Sequence, residues 1–364
     1  MFIALVGAPY TGSALRYFIQ IGLVPFAIAL FLMNLPWRPD RFFQIARLLT
    51  AVATIVACIA VVEQLTGINL FSTSRRDAYL EAVNHFQVGD LTRAGGVFGQ
   101  PDWLGGYITL FIAFPIGFAI ATRNPFSRLG WISSEMFLLS ALLASGTRLA
   151  LLGSAVSLLA FVILGSRFRA ISRPVLFLCI TAIITVGSLV LVSPDVEPLN
   201  RLNVVSTRLS STDERDVGIR LGAAVTGLRV AAMHPVQGIG LDYERYMDAS
   251  IGVMDPRQIR PLAQPHNSYI ELAAFAGYPA LLAIVLLITR YTSGLWRGLK
   301  TPECVDPIRI ALFSSVIGFL FSNMLVNLLT LPAISYCFWA LLVSSTLPRF
   351  RENTHFPDTQ SSRF

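Results

Sequence analysis

The sequence predicts an all-α polytopic membrane protein of about nine transmembrane helices with one long, mostly helical extracytoplasmic loop. Three observations carry this. Apolar residues make up 54% of the 364-residue chain and charged residues 13%, with a mean hydropathy of +0.63; soluble domains carry about 25% charged residues. The apolar residues gather in runs near the roughly 20 residues that cross a bilayer. The basic residues divide unevenly between alternate connections, as they do across an oriented membrane protein.

Spans are expected at about 14–34, 44–65, 103–122, 130–146, 149–165, 174–193, 268–289, 308–328 and 332–348. The start, "MFIALVGAPYTG", reads as the end of a partial tenth helix. The run 131–164 is too long for one helix; "ASGTRLA" breaks it at Gly146, giving two short helices with Arg148 at the hairpin tip. The chain thus divides into transmembrane helices over 1–193 with an outer loop at 66–102, a long loop at 194–267, further helices over 268–348 and a tail at 349–364.

Orientation follows from the short connections. One set holds fourteen basic residues: Arg38, Arg41, Arg47, Arg123, Arg128, Arg167, Arg169, Arg173, Arg290, Arg297, Lys300, Arg349, Arg351 and Arg363. The other holds four: Arg75, Arg76, Arg93 and Arg148. The fourteen mark the cytoplasmic side, so the 194–267 loop, Arg148 and the start of the 268–289 helix face outward. No cleavable signal peptide is expected, since no charge precedes Arg16.

Composition also excludes classes. The formal net charge of +7 is almost all arginine, Lys300 being the only lysine, and reads as membrane anchoring rather than nucleic-acid binding. Cys58, Cys179, Cys304 and Cys337 have no pairing or zinc-ligand spacing. His85, His234, His266 and His355 are scattered, without carboxylate or cysteine partners at ligand spacing, so no metal set is expected.

The long loop holds eight arginines against nine acids. "SPDVEPLNR" opens it with turn formers; "GIRLGAAVTGLRVAAMHP" has helical apolar spacing ended by Pro235; "QGIGLDYERY" is a glycine turn followed by aromatics. A compact outer cap of one or two helices is expected. Loops this long seldom serve only as connections.

Four places are candidates for chemistry, each with a plain structural reading beside it. In "QPHNSYIELAAFAGYPALL", Asn267 suits an N-cap and Ser268 with Glu271 a capping box. Those account for the neighbours of His266 but not for the histidine. Arg148, in apolar surroundings, is either a functional cation or one snorkelling to the interface. Arg220 in "DVGIRLGAAV" reads alone as a surface arginine. "RAGGVFGQPD" is a glycine-rich approach to a helix, or a flexible loop; "GIGLDY" lacks the context of a dinucleotide site.

With those residues in view, the chain resembles the O-antigen ligase/polymerase family of bacterial membrane glycosyltransferases. "RAGGVFGQPDWLGGY" is similar to the family's R…G.F.NPN segment, with Asp102 where asparagine is common. "SGTRLALLGS" is similar to its SRTAL-type hairpin and carries over Arg148. "ERDVGIRLGAAVTGLRVAAMHPVQGIGLDYERY" is similar to its loop block and carries over Arg220; the tryptophan usual after that arginine is absent, which makes Arg215 a rival. "PHNSYIELAAFAGYPALL" is similar to the HN..L…..G..G block and carries over His266, with Asn267 beside it; Arg93 and Asn267 are supporting candidates.

The resemblance implies a C-type glycosyltransferase-like architecture in the bacterial inner membrane, working on the periplasmic face without a metal ion or other cofactor. It implies transfer of a glycan from a polyprenyl diphosphate carrier to a lipid A–core hydroxyl (ligase) or to another carrier-linked unit (polymerase), with inversion. Arg148 and Arg220 would bind the donor diphosphate, because guanidinium forks match phosphate oxygens and stay charged. His266 would assist the acceptor hydroxyl, since imidazole is matched to proton transfer near neutral pH. Two other classes are weighed against this. A transporter or flippase of lipid-linked sugars would show an internal repeat. A scaffold protein would tolerate loss of His266 and the arginines.

Overall fold

The computed structural model describes residues 11–34, 41–68, 87–88, 91–167, 214–258, 264–300 and 306–345. These are helical apart from a two-residue strand pair, Gln87–Val88 with Leu91–Thr92, and short turns. The helices are α1 (Thr11–Tyr17), α2 (Val24–Asn34), α3 (Arg41–Thr66), α4 (Pro101–Phe111), α5 (Phe114–Ala121), α6 (Pro125–Ser145), α7 (Arg148–Arg167), α8 (Glu214–Met233), α9 (Tyr243–Ile251), α10 (Ser268–Leu299), α11 (Pro307–Ser322) and α12 (Pro332–Ser344).

Five helical stretches among the described residues are long and apolar enough to cross a membrane: Ala14–Asn34, Arg41–Thr66, Pro101–Ala121, Arg148–Arg167 and Ser268–Leu299. α11 and α12 are apolar but shorter. α6 has the length, but Arg128, Ser133, Ser134 and Glu135 dilute its apolar content. The expected count of nine is therefore not reached here. The expected span at 174–193 and the tail at 349–364 lie outside the described residues, as does much of the 66–102 loop.

Packing follows membrane logic, with small side chains inward and large apolar ones outward. On α3, Ala46, Thr50, Ala53, Ala57 and Ala60 are buried, while Leu48, Val52, Ile55 and Val62 are exposed. α7 lies along α11, closest where Gly153 and Gly318 bring the two backbones together. α4 is the most buried apolar helix and touches α6, α7 and α11. α1 and α2 are joined by a π-helical stretch, Phe18–Leu23, just before Pro25. Proline supplies no N–H to the ladder, and the turn widens there.

The break inside 131–164 falls where the sequence puts it. α6 ends at Ser145, Gly146 takes a left-handed φ of 57°, and α7 begins at Arg148. The two helices are not the short, back-to-back pair expected. They span 21 and 20 residues and diverge, α6 packing on α3 and α5, α7 on α11 and α4. The reason is α4, which packs against both.

α8 and α9 form a compact cap docked on α10. α10 itself is broken: Gly277 has φ 82° and ψ 166°, and Pro279 follows. Helix geometry would have Tyr278 N–H bond Ala274 O, while Pro279 has no N–H for Phe275 O. The cap segment 235–240 completes these groups. Tyr278 N–H donates to Pro235 O (2.8 Å), Ile239 N–H to Ala274 O (2.9 Å) and Gly240 N–H to Phe275 O (3.1 Å). Gly238 and Gly277 let the two backbones meet: a Cβ at Gly277 would collide with Val236 O, and one at Gly238 with the Phe275 carbonyl.

Candidate functional site

The site is built from two clusters that α8 spans. The first is at the corner between α6 and α7. The final carbonyls of α6 have no partner within their own helix. Ala94 N–H donates to Ala144 O (3.0 Å), and buried Arg93 donates from Nε to Ser145 O (2.8 Å). Arg93 Nη2 donates to Asp102 Oδ1 and to Thr147 Oγ1, each at 2.8 Å. Gly96 N–H is held by Glu63 Oε2 at 2.6 Å, so "RAGG" is a packed corner and not a mobile loop. Pro101 begins α4, and Asp102 sits in its first turn, where a helix favours a negative charge.

Asp102 gathers three groups. Oδ1 takes Arg93 and the Thr147 hydroxyl (3.2 Å), and Oδ2 takes Arg220 Nη2 of the cap at 3.3 Å. Arg148 directly follows Thr147 and opens α7, half-buried. The cap arginine and the start of α7 thus meet over one carboxylate. Arg215 lies in the first turn of α8, with its side chain outside the described residues.

The second cluster surrounds His266. Its φ is 53°, the only left-handed non-glycine residue among those described. That conformation costs on the order of 1–3 kcal/mol and persists where the surroundings enforce it. Here they do. Asn267 caps α10 through Oδ1, accepting from Tyr269 and Ile270 N–H, and its Nδ2 donates to Met324 O (2.7 Å). Ser268 N–H donates to Asn323 O (3.0 Å), and Ser268 Oγ to Asn323 Oδ1 (2.6 Å). The α11–α12 turn therefore clamps the residues after His266, and buried Pro265 clamps the one before.

The expected capping box does not form. With Asn267 as the cap, Glu271 falls one position too late to return to the cap N–H. Glu271 is instead fully buried and accepts from Tyr17 (2.7 Å), Tyr243 (3.1 Å) and Asn327. Burial and the nearby Glu271 push the Tyr243 hydroxyl well up, so it remains a donor. This carboxylate ties the first helix, the cap and the α11–α12 turn to the start of α10.

Two braces connect the clusters. Gly227 of α8 rests on Pro265 and Ile270, and Arg220 lies two turns earlier on the same helix face, about 10 Å away. Leu328, in the turn that clamps His266, packs on Gly106 one turn after Asp102. The sequence reading missed Asp102, Thr147, Glu271, Tyr17, Tyr243 and Asn327 as site-forming residues. Asp102 and Glu271 left local signs, the first an acid directly after the proline that starts a helix and the second the acid of an S-x-x-E pattern.

Comparison with known families fits this arrangement. Residues 135–285 match the family described as O-antigen ligase. The match supports the resemblance seen in the sequence. It runs from inside α6, through Arg148 and Arg220, to the middle of α10, and so includes His266. With the apolar helices, the O-antigen ligase match supports a multi-pass membrane protein and a glycosyltransferase-like enzyme of the ligase or polymerase type. No curated protein matches the chain.

Proposed function

We propose that this chain is an O-antigen ligase-like glycosyltransferase that moves a glycan from a polyprenyl diphosphate carrier to an acceptor hydroxyl, of lipid A–core or a similar glycan, on the periplasmic face of the inner membrane. The observation that carries the reading is the meeting of cap and membrane helices at Asp102, which brings Arg220 beside the residue preceding Arg148. Arg148 and Arg220 fork the donor diphosphate. As the anomeric C–O bond breaks, the electron pair leaves with the diphosphate, and fixed guanidinium donors stabilise the growing charge.

His266 serves the other half of the reaction. The acceptor oxygen attacks the anomeric carbon from the face opposite the leaving group, inverting it, and His266 takes the hydroxyl proton. The arginines accept no proton, so this task falls to a different group. The contacts of α8 with Asp102 and Pro265 are roughly 10 Å apart along the helix, a separation comparable to the length of a diphosphate and a sugar ring. The enforced backbone at His266 holds the imidazole in register.

The test is transfer in vitro from a polyprenyl-diphosphate glycan to lipid A–core, with chelator present throughout. His266→Ala should leave folded protein and lower turnover by about 10²–10⁴-fold, the usual worth of general-base assistance. Wild-type turnover in His266→Ala would make the histidine structural. Loss of wild-type activity in chelator alone would refute the metal-free mechanism. Extension of carrier-linked chains instead of transfer to lipid A–core would make the enzyme a polymerase.

A further inference from the structure

We infer that Asp102 is an internal anion that holds Arg220 between turnovers and sets how tightly the donor diphosphate is bound; this rests on the reading of Arg220 as a diphosphate ligand. The two oxygens of Asp102 have different partners. Oδ1 serves buried groups: Arg93, whose side chain is 5% exposed, and Thr147. Without a carboxylate there, the buried Arg93 charge would lose its ion pair, which is costly. Oδ2 serves Arg220 alone among the contacts made by Asp102, at a longer 3.3 Å, and that arginine is 29% exposed. One half of the carboxylate is therefore structural and the other half exchangeable.

The exchange has a direction. Asp102 shares its one charge between the Arg93 and Arg220 guanidinium groups, so Arg220 is neutralised only in part and can still take an anion. A diphosphate that forks Arg220 must displace Oδ2 and then lie beside its negative charge. Repulsion is greater for the spent carrier, which gains charge when the glycosidic bond breaks. Asp102 thus weakens product binding more than donor binding and retakes Arg220 as the carrier leaves. It is a positioning residue, acting through Arg220 and not on the reacting atoms.

Asp102→Asn separates the two halves. The amide oxygen still accepts from Arg93 and Thr147, while its NH₂ meets the Arg220 donors and cannot bond them. Binding of inorganic pyrophosphate to the purified protein is the direct readout. Removing one negative charge a few ångströms from the anion should tighten binding at least about fivefold, even at high effective dielectric. In transfer assays KM for the donor should fall and kcat should fall with it, because release slows; a merely structural lesion would lower kcat without tightening pyrophosphate. Should Asp102→Asn fail to fold, Asp102→Ser, with an uncharged acceptor for Arg93, takes its place. Unchanged or weaker pyrophosphate binding in the folded variant overturns the inference, while its loss in Arg220→Ala leaves the diphosphate reading standing. Pyrophosphate binding that survives in both Arg148→Ala and Arg220→Ala overturns that reading and this inference together.

Discussion

Two of the cap's attachments to the membrane helices contrast. At its 235–240 end the cap joins the break in α10 through three backbone hydrogen bonds and glycine-to-backbone packing, with no charge involved. At its Arg220 end it meets Asp102 through a partly exposed ion pair. The first attachment fills groups that α10 leaves unpaired, so separation would leave carbonyls and an N–H unsatisfied, at about 1–3 kcal/mol each if they stay buried. The second is a single pair of partly exposed charges, which on the proposed reading exchanges one anion for another at little cost. The difference teaches that the two ends of the cap are held by different physics: one is built into a helix break, and the other rests on an ion pair that, on the proposed reading, a diphosphate exchanges.

Breaking the fixed end should have the largest effect. Gly277→Ala places a side chain in a backbone region reserved for glycine and drives its Cβ into Val236 O. About 2–4 kcal/mol of docking should be lost, read as a lower melting temperature in detergent and faster proteolysis of the cap. Asp102→Asn, at the other end, should leave cap proteolysis unchanged. If Gly277→Ala left the cap as protected as in the wild type, the contrast between the two ends would fail.

The smallest effect lies within the cap itself. Hydrogen bonds from the Arg257 side chain and backbone, with Arg229 nearby, hold the Asp255 carboxyl down to about 2. A depressed carboxyl contributes stability above its unfolded value, about 3.9, and that contribution disappears as pH falls from there toward 2. Cap protection should thus show no loss from Asp255 between neutral pH and about 4, with the loss confined below it. Asp255→Asn should flatten that acid limb, lowering neutral-pH protection by the same small amount that the wild type loses in acid.

Much of this was legible in the sequence, and the exceptions share a cause. Gly146, Pro101 and Pro235 mark helix ends by their own backbone limits, so local reading finds them. Arg148 and His266 stand out as polar residues that local structure does not require, whereas Arg220 reads alone as a surface arginine and comes forward only through the family resemblance. The capping box was misread because Asn267 and Ser268 can both cap, and only the α11–α12 turn decides between them by engaging Ser268. The Tyr17–Glu271 bond joins residues 254 positions apart, and Arg220–Asp102 joins residues 118 apart. Local patterns carry no information about such pairs. The glycines of "QGIG" read as a turn; their partner is the backbone of a helix over thirty residues later.

The proposed reading has the forked guanidinium groups of Arg148 and Arg220 hold the donor diphosphate. It is tested most directly by measuring transfer with Arg148→Lys and Arg220→Lys beside the corresponding alanine variants. A lysine keeps the charge and loses the paired donors. The account predicts that each lysine variant is nearly as impaired as its alanine counterpart, with melting temperature preserved. Wild-type transfer by Arg148→Lys and Arg220→Lys would contradict it.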